Sequence, residues 1–99
     1  MKMQTKIYSE KLIEKKLLKR IKSAGGWTIK LLPTFVSGLP DRLVLLQGRA
    51  YFVELKASGK RARPDQVLVH KRLEKLGFVV AVIDSVEGID AFVENITDV

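Results

Sequence analysis

The chain has 99 residues, a formal net charge of +7 and no cysteine. That length fits one domain, which we expect to span residues 1–99, and is too short for a separate specificity domain. Without cysteine there is neither a disulfide framework nor a thiolate zinc site, which agrees with a reducing cytoplasm. The longest apolar run, residues 78–83, is too short to span a membrane. We therefore expect an intracellular, cytoplasmic protein.

Hydrophobic periodicity predicts an alternation of helices and strands. The predicted elements are a helix at about 8–24, a strand at about 27–32, the two strands of a hairpin at about 42–56, a helix at about 64–76, a strand at about 78–83 and a helix at about 86–95. Gly77 is a natural stop for the second helix, and Ser85 is a suitable N-cap for the last one. These elements predict an α/β sandwich, a sheet flanked by helices.

The first helix carries two acids inside its apolar side. At about 100° per residue one arc collects the apolar side chains, and these are Ile7, Ile13, Leu17, Leu18, Ile21 and Ala24. Glu10 and Glu14 fall inside that arc. Polar residues in an apolar stripe are expected chiefly at functional sites. The alternative for Glu10 is a frayed helix end, where it would merely favour the helix dipole.

Two further carboxylates and a lysine are predicted to meet at the hairpin. Asp41 follows a turn and opens the first strand, and Gln47-Gly48 forms a tight turn between the two strands. Glu54 and Lys56 lie two residues apart on the second strand, so they share one face. Antiparallel pairing would bring Asp41 beside them, and clustered carboxylate oxygens suit a hard divalent cation. The alternative is a structural Glu–Lys contact on an exposed face.

The second helix begins at a second Pro-Asp pair, residues 64–65, which are favoured in a first helical turn. Gln66 lies in the same turn, and solvent-facing polarity is the simple interpretation of it. His70 has no second His or Cys nearby in sequence, so we expect a surface or packing role. The loop before this helix carries three cations in addition to Lys56, and the list is Lys60, Arg61 and Arg63. Beside a carboxylate centre, they predict contacts with DNA phosphates.

This ordered set of motifs resembles the PD-(D/E)XK nuclease superfamily, and within it the virus-type replication-repair nuclease (VRR-NUC) domain. The likeness covers roughly residues 9–92, and it implies a restriction-endonuclease-like core with a mixed sheet in the order αβββαβα. It also implies that Asp41 and Glu54 bind Mg²⁺ or Mn²⁺, and that Lys56 serves the attacking water and the scissile phosphate. The family's Gln corresponds to Gln66, which implies a role in orienting Lys56 or a phosphate. An acid of the first helix completes the family's site. Glu14 is favoured, with Glu10 as the alternate.

The resemblance further implies a metal-dependent, structure-selective DNA endonuclease. Small stand-alone proteins of this kind resemble homodimeric Holliday junction resolvases, so branched DNA and a second copy of the chain are the expected partners. A virus-type domain also suggests a phage-encoded protein that acts in the host cell. The alternative from another functional class is a basic nucleic-acid-binding protein that has kept the fold without the activity.

Overall fold

The computed structural model describes residues 7–97, which form three helices and four strands in the predicted order αβββαβα. The elements are α1 (Glu10–Ser23), β1 (Trp27–Lys30), β2 (Arg42–Leu46), β3 (Arg49–Leu55), α2 (Pro64–Lys75), β4 (Val79–Ile83) and α3 (Val86–Thr97). Each predicted element is present, with ends shifted by at most two residues. Among the described residues no helix is long and apolar enough to cross a membrane.

The four strands form one mixed sheet in the order β1-β2-β3-β4. β1 with β2 and β2 with β3 pair antiparallel, whereas β3 and β4 pair parallel, with α2 as the connection between them. Gln47 and Gly48 both have positive φ, 52° and 75°, which matches the twist that a two-residue hairpin needs. In the β2–β3 register Arg42 lies opposite Val53. Asp41 therefore reaches β3 at Glu54 and Leu55, as predicted.

α1 and α3 pack against one face of the sheet and enclose the apolar core. The fully buried side chains on this face come from both helices and from the sheet, and they include Ile13 and Leu17 of α1, Val44 and Val53 of the hairpin, and Ile89 of α3. Ser9 caps α1, since its hydroxyl accepts a hydrogen bond from the Leu12 amide. The predicted apolar arc was wrong at Ile7 and Leu18, which are exposed. Ile7 precedes the helix, and Leu18 lies at the margin of the arc.

α2 lies near the opposite face of the sheet, to which β3 presents Phe52 and Glu54. The helix begins at Pro64, as predicted, and Gly77 follows its end with a φ of 96°. α3 begins after Ser85, whose hydroxyl accepts a hydrogen bond from the Gly88 amide, so the predicted N-cap is confirmed. The two faces of the central strand β3 thus meet different helices.

Candidate active site

Glu54 is a carboxylate buried in the middle of the sheet. The residue is 1% exposed, because β3 is central and α2 covers the face from which the side chain projects. Its Oε2 lies 3.7 Å from the Nζ of Lys56, and its Oε1 lies 3.6 Å from the Nε2 of His70. Neither Oε1 nor His70 Nε2 has a hydrogen-bond partner. A buried polar atom without a partner is costly, so Glu54 Oε1 is an oxygen that a ligand or cation could satisfy.

Asp41 meets Glu54 across the hairpin, as the sequence predicted. Its Oδ2 accepts a hydrogen bond of 2.8 Å from the amide of Leu55, the last residue of β3. This bond fixes the carboxylate at the end of the strand. Burial, together with the hydrogen bond and negative charge of Asp41, raises the pKa of Glu54 to about 8; the cations of Lys56 and Arg63 oppose that rise. The two carboxyls are therefore adjacent, and a positive charge bound between them would offset their mutual repulsion.

The donor set of this pair suits a divalent cation. Mg²⁺ binds through one or two carboxylates and takes its remaining ligands from water and substrate phosphates. Asp41 and Glu54 supply two carboxylates, and the unpartnered Glu54 Oε1 is an available oxygen. Within residues 7–97 no group of three or more His, Cys, Asp or Glu side chains is gathered for a metal. The described chain thus offers a carboxylate pair rather than a complete cage.

The two acids of α1 are not joined to this pair by a described contact. Glu14 is half-buried, and its Oε2 lies 2.8 Å from an Nη of Arg42, the residue that follows Asp41. Arg42 is itself buried on the face that α1 covers. Glu10 is exposed in the first turn of the helix. Glu14 is thus the α1 acid that contacts β2 directly after Asp41, through an arginine that no sequence motif had marked.

Gln66 is buried under the start of α2, which rules out the solvent-facing alternative. Its Oε1 accepts a hydrogen bond of 2.9 Å from the Arg63 amide and so caps the helix. The predicted role for Gln66 toward Lys56 or a phosphate has no described contact behind it.

His70, one turn after Gln66, is buried against Glu54. Of the two roles predicted for it, surface or packing, the structure therefore shows packing. Burial is the main cause that lowers its pKa, so the ring is neutral at the side of the carboxylate. Its place at the site was missed. The available signal was the spacing of Gln66 and His70, since residues four apart share one helix face.

The basic loop, residues 56–63, leaves β3 at the site and leads to α2. Lys60, Arg61 and Arg63 are exposed, as expected of phosphate-binding side chains. Arg63 also lies 3.3 Å from Asp65 in the first turn of α2. The loop base is fixed by Ser58, which exchanges hydrogen bonds of 2.7 and 3.0 Å with the backbone of Tyr8. The cations are therefore attached to the strand that carries Glu54.

The chain is similar to known proteins in both sequence and structure. No family model matches the chain. It is 41% identical over 81 residues to a protein named "Putative nuclease p44" from Acyrthosiphon pisum secondary endosymbiont phage 1, with 81% of this chain and 87% of that protein covered. A solved structure described as a VRR_NUC domain superposes with a TM-score of 0.80 at 34% identity, covering 86% of this chain and 94% of the other.

Proposed function

The chain belongs to the VRR-NUC nuclease-domain family, and from that premise we propose that it is a Mg²⁺- or Mn²⁺-dependent DNA endonuclease. The observation that carries the proposal is the pair of Asp41, half-buried, and Glu54, buried, beside Lys56, with Glu54 Oε1 unpartnered. A protein that merely binds DNA has no use for acids at a phosphate site, because they repel the ligand. In a hydrolase the same acids bind the cation that attracts it.

The residues of the pair would hold the cation, which supplies an acidified water and neutralises charge on the scissile phosphate. Asp41 is oriented for this role by the Leu55 amide, and Glu54 by the rigid central strand. Lys56 is mostly buried, so its ammonium is confined near Glu54 Oε2. It would stabilise the negative charge that develops on the phosphate oxygens. His70, held neutral, leaves Glu54 free to bind a cation.

We further propose Glu14 as the first-helix acid of the site, with Glu10 as the alternate. Glu14 is supported by its ion pair with Arg42, next to Asp41 in the chain. Glu14→Gln and Glu10→Gln, tested separately, should give one inactive nuclease and one active nuclease. Because Glu14→Gln also leaves Arg42 without its charge partner, its melting temperature must be measured. Glu14→Asp, which keeps the charge, is the matched control.

Branched DNA, and a four-way junction in particular, is the substrate that we propose for a homodimer of this chain. Each chain carries one candidate site, and two-fold symmetry suits two paired cuts across a junction. The edge strand β4 offers a surface for the second copy, because its exposed side chains are apolar, and these are Val79 and Val82 with the neighbouring Phe78. Action inside a host cell follows if the gene is phage-borne, as is that of the relative.

The test is cleavage of four-way junction, flap, splayed-arm and linear duplex DNA in Mg²⁺, Mn²⁺, Ca²⁺ or chelator. Cutting that requires Mg²⁺ or Mn²⁺ is the expected result. DNA binding without cutting under every metal would instead support the non-catalytic binder. Preference for plain duplex would remove the junction proposal and leave the nuclease.

Subunit mixing tests the homodimer. Wild-type chains mixed with an excess of Lys56→Ala chains should form mixed dimers that nick one strand without resolving the junction. Differently sized tags report whether the protomers exchange. Sedimentation as a monomer, both alone and on junction DNA, would refute the dimer.

A further inference from the structure

The connection between β1 and β2 carries the most exposed large apolar side chain among the described residues. Phe35 is 97% exposed, and Leu32 and Val36 beside it are also exposed. We refer to these three side chains as the apolar tip. Single exposed apolar residues are ordinary, but three within five residues, next to an active site, are not explained by packing.

Hydrogen bonds hold the connection both beside the strands and at α2. The Leu31 amide donates a hydrogen bond of 2.8 Å to the carbonyl of Asp41. The Ser37 hydroxyl donates one of 2.9 Å to Asp65 Oδ2 and lowers the pKa of that carboxyl. Gly38, with a φ of 87°, lies so close to α2 that a Cβ would stand 2.5 Å from the Asp65 carbonyl oxygen. The apolar tip is therefore held between Asp41 and the first turn of α2.

These attachments limit how far the apolar tip lies from the site. Phe35 is two residues from Ser37 and six from Asp41, so its Cα lies within about 7 Å of the first and about 21 Å of the second. Successive nucleotides of one DNA strand are spaced by about 3.4 Å along the helix axis. A base contact at Phe35 and a cut at Asp41 would thus be separated by at most about six nucleotides. Arg63 contacts the same Asp65 that holds Ser37, which brings the basic loop alongside.

Resting on the function proposed above, we propose that the apolar tip is a wedge that recognises unpaired bases in branched DNA, with Phe35 stacking on an exposed base near the cut. Bases within a duplex already stack on each other, whereas bases at a branch or in a single strand have a free face. An aromatic ring binds that face with little regard to sequence, and apolar side chains of proteins insert between base steps in this way. The wedge thereby selects DNA by structure.

DNA is favoured over a second protein chain as the occupant of the apolar tip for two reasons. Three side chains can bury far less surface than the roughly 800 Å² that each partner buries in a stable protein interface. The neighbouring basic loop, with Lys60, Arg61 and Arg63 exposed, also attracts a polyanion. Binding to a second copy is retained as an outcome of the test.

The first experiment compares affinities in the Asp41→Asn background, so that no DNA is cut. Phe35→Ala should weaken binding to a flap or four-way junction by about 5- to 150-fold and to linear duplex by less than twofold. Phe35→Trp should restore the affinity for branched DNA. Trp27→Ala is the matched control, since Trp27 is an exposed aromatic at the opposite end of β1. It should leave both affinities unchanged.

A second measurement reads stacking directly. The double variant Trp27→Phe, Phe35→Trp has one tryptophan, whose fluorescence should be quenched by branched DNA and not by duplex. Equal affinities for Phe35→Ala and its parent on branched DNA, or an unquenched tryptophan, would overturn the wedge. So would a loss of dimer by Phe35→Ala without loss of DNA selectivity, which would make the apolar tip a protein contact. If the wild type cuts no DNA while the selective loss persists, the nuclease proposal fails and the wedge stands.

Discussion

The two faces of strand β3 show how one strand serves both stability and chemistry. Tyr51, Val53 and Leu55 point to the face that α1 and α3 cover, where buried apolar side chains pack against each other. Glu54 points to the face near α2, where its Oε1 and the Nε2 of His70 are buried without hydrogen-bond partners. Burial stabilises the protein on the first face and opposes folding on the second. Substitutions on the apolar face should therefore lower stability without changing cleavage. Replacing Glu54 on the polar face should instead reduce cleavage and, without metal, raise stability.

The largest expected effect is on the polar face. Asp41→Asn or Glu54→Gln should reduce cleavage by about a thousandfold or more, because each removes a carboxylate that would hold the cation, which is worth several kcal/mol in the transition state. DNA binding should remain or tighten, since a charge that repels phosphate is lost. Glu94→Gln, an exposed acid on α3, is the control and should cut normally. Magnesium-dependent cutting by either site variant would refute the assignment.

On the apolar face, Leu17→Ala should lower the free energy of unfolding by about 2–5 kcal/mol, through lost burial and the cavity left behind. Leu12→Ala on the same helix is half-exposed and should cost less than about 1 kcal/mol. Urea unfolding measures both. Cleavage per folded molecule should be unchanged, and a specific loss of activity in Leu17→Ala would break the division between the faces.

A smaller effect, opposite in sign, is expected from Glu54 when metal is removed. The pKa of Glu54 is raised from 4.5 to about 8 in the folded chain. Between those values the folded chain retains a proton that the unfolded chain has released, so stability falls as pH rises, by on the order of a few kcal/mol in all. Glu54→Gln should abolish this loss and be more stable than the wild type at pH 8.

The measurement is thermal or urea unfolding in chelator, compared between pH 6.5 and pH 8. Below that window the lowered pKa of His70 acts in the other direction, because its neutral ring must become charged as pH falls. Adding Mg²⁺ should flatten the wild-type profile, since a bound cation replaces the proton. A flat profile in chelator, or one that Glu54→Gln leaves unchanged, would contradict the account of the polar face.

The smallest effect is expected where the basic loop extends the polar face. Replacing Lys60, Arg61 and Arg63 together by Ala should weaken DNA binding and reduce the slope of log affinity against log salt by up to about 3. A triple replacement of Lys11, Lys15 and Lys19, exposed cations of α1, removes equal charge and is the control. Equal salt slopes for both variants would show that DNA does not follow the basic loop.

The sequence predicted those parts of the fold that depend on local patterns. The Gln47-Gly48 turn and the period of two along β3 were enough to bring Asp41 to Glu54. The sequence did not predict the features that depend on contacts between elements far apart in the chain. α2 exposes Val67 and Leu68 and buries His70, because the helix faces a carboxylate. The spacing of Gln66 and His70 marks a shared helix face but does not say what that face meets. The Glu14–Arg42 pair and the exposed position of Phe35 likewise depend on how separate segments meet.

Gly38 has a consequence for how this protein tolerates mutation. It lies between the apolar tip and Asp41, with a positive φ and the backbone of α2 against its missing Cβ. Any other residue would force the connection away from the helix and carry both neighbours with it. A random library selected for chains that no longer cut DNA should therefore recover substitutions at Gly38 as often as at the acids. Position 38 would look catalytic in such a screen, although glycine has no side chain with which to bind or react.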